Sequence, residues 1–183
     1  MRRRQSPLLV AALAGLAGCG PGNGLTLGRV HGTISLEGEP VRFGYVTFLP
    51  DSTAGTNGPP ATSSIREDGS FVISTEQSDD GAIVGTHKVA VIGLDPDPLP
   101  GEDRPKPEDD PEKFLAAKGQ RRPARAKRSS GPTYTARDGK TYRVLVPERL
   151  MNPETSGITA KVARGSNTIK IAIKKDGTAD VSY

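Results

Sequence analysis

The chain contains no tryptophan, one cysteine, two histidines, and aromatic residues at only 4% of its 183 positions. One thiol excludes an intramolecular disulfide, so buried apolar side chains have to hold any fold together. Zinc sites need three or four ligands at characteristic spacings, and neither HExxH nor HxxE occurs. Nucleophilic hydrolysis needs a serine or cysteine beside a positioned base, and GxSxG is missing too. No apolar run reaches the roughly 20 residues that cross a bilayer as a helix. These gaps remove the signatures of a metallocarboxypeptidase catalytic unit, a GxSxG hydrolase and a spanning helix.

The amino-terminal stretch is patterned by charge and size. Arg2, Arg3 and Arg4 precede an uncharged apolar run over 7–16, then the small residues Ala17 and Gly18, then Cys19. A positive start, a short apolar run and small residues describe a secretory signal. In this position Leu16, Ala17, Gly18 and Cys19 resemble the lipobox of bacterial lipoproteins. The resemblance implies diacylglycerol transfer to the Cys19 sulfur, cleavage before Cys19, and fatty acylation (palmitate or a similar chain) of the new amino terminus. Each buried methylene contributes about 0.8 kcal/mol, so several chains anchor far better than one. Residues 1–18 then form a signal peptide and 19–27 a lipidated, glycine-rich tether whose last eight residues reach roughly 28 Å.

Cleavage there changes the charge. The full chain has 25 Lys+Arg against 21 Asp+Glu, and the leader removes three arginines and no acid, which leaves 22 against 21. A nearly neutral mature chain has little attraction for phosphate backbones, and no nucleic-acid role is expected. The 165 remaining residues (183 less 18) suffice for one domain.

Strand periodicity runs through most of that domain. Val30, Gly32, Ile34 and Leu36 alternate with His31, Thr33 and Ser35, then "EGEP" makes a turn and "FGYVTFLP" a second strand. In "ATSSIREDGSFVIST" two short runs flank Asp68-Gly69, a hairpin dipeptide whose residues tolerate positive φ. "GTHKVAVIGL" gives a fifth strand, and "GITAKVARGSNTIKIAIKK" two more around the turn "ARGSN". Seven short strands without a long amphipathic helix predict an all-β, Ig-like β-sandwich.

Residues 95–140 depart from this pattern. The first half is acidic and proline-rich, the second basic, with too few apolar residues to offset the entropy of ordering. The segment is expected to be a disordered polyampholyte insertion. Asp110, Pro111 and Gly119 bracket one short helical stretch, "PEKFLAAK". Residues 176–183 read as a C-terminal tail.

The strand sequences resemble the carboxypeptidase regulatory-like domains. The matching positions are Val30, Gly32 and Ile34, the turn 38–40, Gly44, Val46, Phe48, Asp68, Gly69, Phe71, Gly85, Lys88, Val89 and Val91, with 146–159 before the last strands. The resemblance covers 28–94 and 141–175. It implies a seven-stranded, transthyretin-like sandwich, often carried by small bacterial lipoproteins, and no catalytic residue. Hydroxyisourate hydrolases of the wider transthyretin-like group end in Tyr-Arg-Gly-Ser, whereas this chain ends "ADVSY".

Few side chains remain as candidates for chemistry. His31 reads as an exposed strand residue, and His87 as a turn-proximal or edge residue. Asp79-Asp80-Gly81 reads as a polar turn, and Asp95, Asp97, Glu102 and Asp103 as a solvated linker; neither follows a calcium-loop pattern. No metal and no cofactor are expected. Lys118, Arg121, Arg122, Arg125, Lys127 and Arg128 could contact anionic lipid, an envelope polymer or an acidic partner, each contributing up to about 1 kcal/mol near an anionic membrane. The expectation is therefore an exported, non-enzymatic lipoprotein, held on an envelope membrane by its lipid, whose sandwich binds an envelope polymer or protein. A carbohydrate-binding accessory module is the alternative, favoured by any patch of aromatics on one face. With Phe43, Phe48 and Phe71 expected to be wholly or partly internal, few aromatics are left for one. A hydrolase of unrecognised type is the third reading. No feature specifies an oligomer.

Overall fold

The computed structural model describes residues 25–99, 112 and 131–183. In β1 (Leu27–Leu36), buried Val30, Gly32 and Ile34 alternate with exposed Arg29, His31 and Thr33, as a strand with one face on a core requires. It pairs in parallel with β11 (Ser166–Ile173), which turns Ile169, Ile171 and Ile173 the same way. Gly32 is needed for this packing. A β-carbon there would sit 1.8 Å from the Ile169 carbonyl oxygen and 2.7 Å from Phe71 Cζ.

Three short strands pair antiparallel with β1: β2 (Glu39–Pro40), β5 (Ser70–Val72) and β6 (Ala82–Ile83). Beyond β11 lies β12 (Ala179–Ser182), which completes the first sheet. The second sheet runs β4 (Ala61–Ile65), β3 (Gly44–Pro50), β7 (Gly85–Pro98), β9 (Thr141–Val144), β8 (Thr133–Thr135). Along the first part of β7 its neighbour is β10 (Ile158–Val162). The fold is thus all-β, with twelve strands in two sheets among the described residues.

One apolar core joins the sheets. Val30, Ile34, Phe71, Ile169 and Ile171 meet Val46, Phe48, Val89, Val91 and Ile158, and the Phe48 and Phe71 rings lie 6.2 Å apart between the two sheets. Both sides are tied shut. Thr62 bridges to Ser74 at one, and at the other the Lys161 amide donates to the Tyr183 phenol oxygen at 2.8 Å. A short segment before β10 adds an outer layer: a 3₁₀ turn at Glu148–Met151 and a helical turn at Pro153–Ser156 pack on β7, with Leu150 fully buried. No helix among the described residues is long and apolar enough to cross a membrane.

Several expected boundaries move. The seven patterned strands correspond to β1, β3, β4, β5, β7, β10 and β11. Residues 95–98 extend β7, and 133–135 form β8 within the stretch expected to be disordered, because Tyr134 and Tyr142 supply the apolar contacts that its flanks lack. The expected tail contains β12, whose Val181 packs against the core. Residues 26 and 27, expected to belong to a tether, join the fold: the Thr26 carbonyl accepts from the Val84 amide and β1 begins at Leu27. The turn at 163–165 does not join a hairpin. It carries the chain from β10 in one sheet to β11 in the other, fastened by Asn167, whose side chain accepts from the Ala163 amide and donates to the Ala163 and Arg29 carbonyls. The expected signal peptide (1–18) and residues 19–24 of the expected tether lie outside the described residues. So does the expected helix over 111–118, except for Glu112, which is helical and exposed.

Candidate functional site

The outer face of the second sheet carries a group of aromatic and hydroxyl side chains that could meet a ligand. Register fixes which ones. On β3, Val46 and Phe48 point into the core, so Tyr45 and Thr47 point out. Their partners on β4 are Ser64 and Thr62, and across β7 Tyr45 stands opposite Ile92. The order β3–β7–β9–β8 then brings Tyr134 and Arg137 to the same face. The result is an open groove of about 390 Å³, lined by these residues with Ser63, Val72 and Ser74.

Aromatic rings form one wall. Tyr45 and Tyr134 lie 6.3 Å apart with their planes at 51°, and Phe43 joins Tyr45 to Tyr142 behind them at 6.4 and 5.0 Å. Tyr142 is the anchor of this cluster. Its phenol donates to the Asp138 carboxylate at 2.6 Å, and that hydrogen bond, with burial and the adjacent negative charge, pushes the phenol up to about 12. The same bond helps hold Asp138 below the usual carboxylate range. Hydroxyl groups form the opposite wall. Ser63 is committed to the Val72 amide and the Ser64 carbonyl, and Ser74 accepts from the Asp79 amide. The side-chain hydroxyls of Thr47, Thr62 and Ser64, the Tyr45 and Tyr134 phenols and the Arg137 guanidinium make no hydrogen bond to another described residue. They are left for solvent or a ligand.

Comparison of the chain with protein-family models, with curated proteins and with solved structures finds no match.

The side chains singled out in the sequence are dispersed. His31 is exposed on β1, its Nε2 2.9 Å from the Thr168 hydroxyl. His87 was expected near a turn or edge, yet it is fully buried on β7 between β3 and β10, opposite Pro50 and Ala160. It shares the core-facing side with Val89 and Val91, and the chain packs it 5.9 Å from the Phe48 ring. Neither ring nitrogen has a hydrogen-bond partner among the described residues. Burial holds its pKa below the ordinary imidazole value, against a smaller upward pull from the Gly85 backbone.

Asp80 closes a turn. Its two carboxylate oxygens accept from the amides of Thr75 at 2.6 Å, Glu76 at 3.0 Å and Gln77 at 2.8 Å. Burial raises its pKa, but these amides outweigh burial and hold the group below its ordinary value. Among the described residues no three His, Cys, Asp or Glu side chains are placed to share a metal ion. Leu16, Ala17, Gly18 and Cys19 lie outside the described residues, as do Lys118, Arg121, Arg122, Arg125, Lys127 and Arg128. The sequence alone does not reveal the groove, because Tyr45 and Tyr134 belong to distant segments. The alternation Tyr134, Ala136 and Tyr142, Val144 around Asp138-Gly139 was the available signal.

Proposed function

We propose that this protein is an exported lipoprotein, anchored through lipid on Cys19 to a bacterial envelope membrane and carrying a non-enzymatic binding module. The module is proposed to be a transthyretin-like sandwich of the carboxypeptidase regulatory-like type, its seven patterned strands being β1, β3, β4, β5, β7, β10 and β11. One observation carries the membrane placement: three arginines, an uncharged apolar run and Leu-Ala-Gly-Cys follow one another in the first 19 residues. Support for a binding role comes from the open groove, where hydroxyls and phenols with no hydrogen bond to another described residue stand beside tilted aromatic rings. The membrane end of the molecule and its ligand face then have separate chemistry.

Cys19→Ser tests the anchor. In a bacterial host supplied with labelled palmitate, the natural chain takes up label and enters the detergent phase on phase separation. The variant takes up none and leaves that phase. Unchanged labelling and partitioning in the variant would refute the lipoprotein reading.

A further inference from the structure

We infer that the groove on the outer face of β3, β4, β7 and β8 binds an acidic saccharide, with pyranose rings against Tyr45 and Tyr134 and a sugar carboxylate on Arg137. This rests on reading the domain as a binding module and adds the class of ligand.

Three features of the groove point there. Sugar rings are amphipathic, with C–H faces and hydroxyl edges, and so is a tyrosine, which offers an apolar body and a polar tip. The Tyr45 and Tyr134 rings, 6.3 Å apart and tilted at 51°, form an angled apolar wall against which a C–H face can rest. Opposite them, Thr47, Thr62 and Ser64 each present a hydroxyl that both donates and accepts. A polyol needs such partners along its edge, and none of the three is used by another described residue.

Charge then selects among saccharides. Among the described residues Arg137 is the only charged one that lines the groove, and it forms no ion pair with another of them. The neighbouring Asp138 carboxylate is occupied elsewhere, by the Tyr142 phenol and the Lys140 amide. A planar guanidinium with free donors matches a carboxylate in two parallel hydrogen bonds. Complementarity therefore favours a uronate-type sugar over a neutral one. An openly solvated groove of this size suits a few sugar units of a chain passing over it rather than one enclosed monosaccharide.

The test is calorimetric titration of the full chain, in micelles of a non-sugar detergent, with three probes: short oligogalacturonate, a neutral glucan oligomer of similar length, and oligoglutamate. Oligogalacturonate is expected to bind best, and more weakly as salt rises. Tyr134→Ala should weaken it by about tenfold, the loss of one aromatic contact. Arg137→Gln should weaken it by about three- to fivefold and flatten the salt dependence. Thr47→Val and Ser64→Ala keep the shape of the strands, so a folded protein with reduced binding in these variants separates lost contacts from lost structure. Absence of oligogalacturonate binding, or binding unchanged in all four variants, overturns the proposal. Equal binding of the glucan overturns the acidic assignment, and stronger binding of oligoglutamate moves the site to acidic peptides. Lipidation at Cys19 is read separately, so a chain that binds the saccharide without taking up palmitate would remove the membrane placement and leave the groove.

Discussion

A buried imidazole whose nitrogens lack partners is a costly residue, and among the described residues no side chain or backbone group lies within hydrogen-bonding geometry of His87. Both nitrogens lie away from solvent and from any described partner, which for a buried polar group costs about 1–3 kcal/mol. Burial lowers its pKa, so the folded chain keeps the ring neutral while the unfolded chain takes up a proton at the ordinary value near 6.5. The sign follows directly. Stability from this site is full above about pH 6.5 and falls as the pH drops from there towards the lowered folded value, because protonation favours the unfolded chain. Urea midpoints measured between pH 8 and 5 should therefore decline on the acid side. In His87→Leu the decline should be shallower, and the midpoint at pH 7.5 should equal or exceed that of the natural chain, because the orphaned nitrogens are gone. Parallel decline in the two proteins would show that another group is responsible.

At the level of elements, one turn is built three times. In Arg66–Ser70, Ala136–Lys140 and Lys174–Thr178 the first amide donates to the last carbonyl and the fourth donates back to the first carbonyl, with glycine left-handed at the fourth position. Each time the aspartate at the third position accepts from the last amide, at 2.9, 3.0 and 2.8 Å. This is a type I turn closed by a left-handed glycine, so Asp68 keeps negative φ and only Gly69 needs the positive value that the dipeptide was expected to share. Two of these three glycines, Gly69 and Gly139, differ sharply in surroundings. A β-carbon on Gly139 meets no described residue within 4 Å, whereas on Gly69 it would lie 2.7 Å from the Ile34 carbonyl oxygen. Gly139→Ala should thus cost about 1 kcal/mol, the conformational penalty alone. Gly69→Ala should cost clearly more, by about a further 1–3 kcal/mol for the overlap. Equal losses in urea unfolding would refute the assignment of the excess to that contact. The repeated turn also explains what was legible. Apolar alternation was plain in the strands of the main core, where one face is wholly buried. The β8–β9 hairpin has the same Asp-Gly signal, but it sits beside a long proline-rich, charged stretch whose composition hid it. The β2 and β6 strands, with two residues each, are too short for a period to register. The groove was less legible still. Alternation says that Tyr45 faces away from Val46, but only the strand order places Tyr134 beside it.

For the whole molecule, the question is how much of the chain the two sheets require. The stretch 95–140 was expected to lie outside the fold, and its two ends are built into it. The Leu99 amide donates to Thr141 at one end of β9, and the Val144 amide donates to Pro132 at the other. Tyr134, Ala136 and Tyr142 pack into the cluster that contains Leu94 and Val144. Removing 95–140 would strip β8 and the end of β7 from the second sheet and expose Leu94, Tyr142 and Val144. Removing 100–130 touches none of these contacts. The gap to be bridged runs the length of β9 and across two strand spacings, about 15 Å in all. A linker of about ten Gly and Ser residues spans it without strain. The short replacement should unfold cooperatively with a midpoint close to that of the natural chain. The wide excision should lose about 3 kcal/mol or more, as expected when several buried apolar side chains lose their cover. Equal stability of the two deletions would show that β8 contributes nothing to the fold. Tyr134 would then lose its footing as a wall of the groove, so both deletions should also be titrated with oligogalacturonate: binding should survive in the first and vanish in the second.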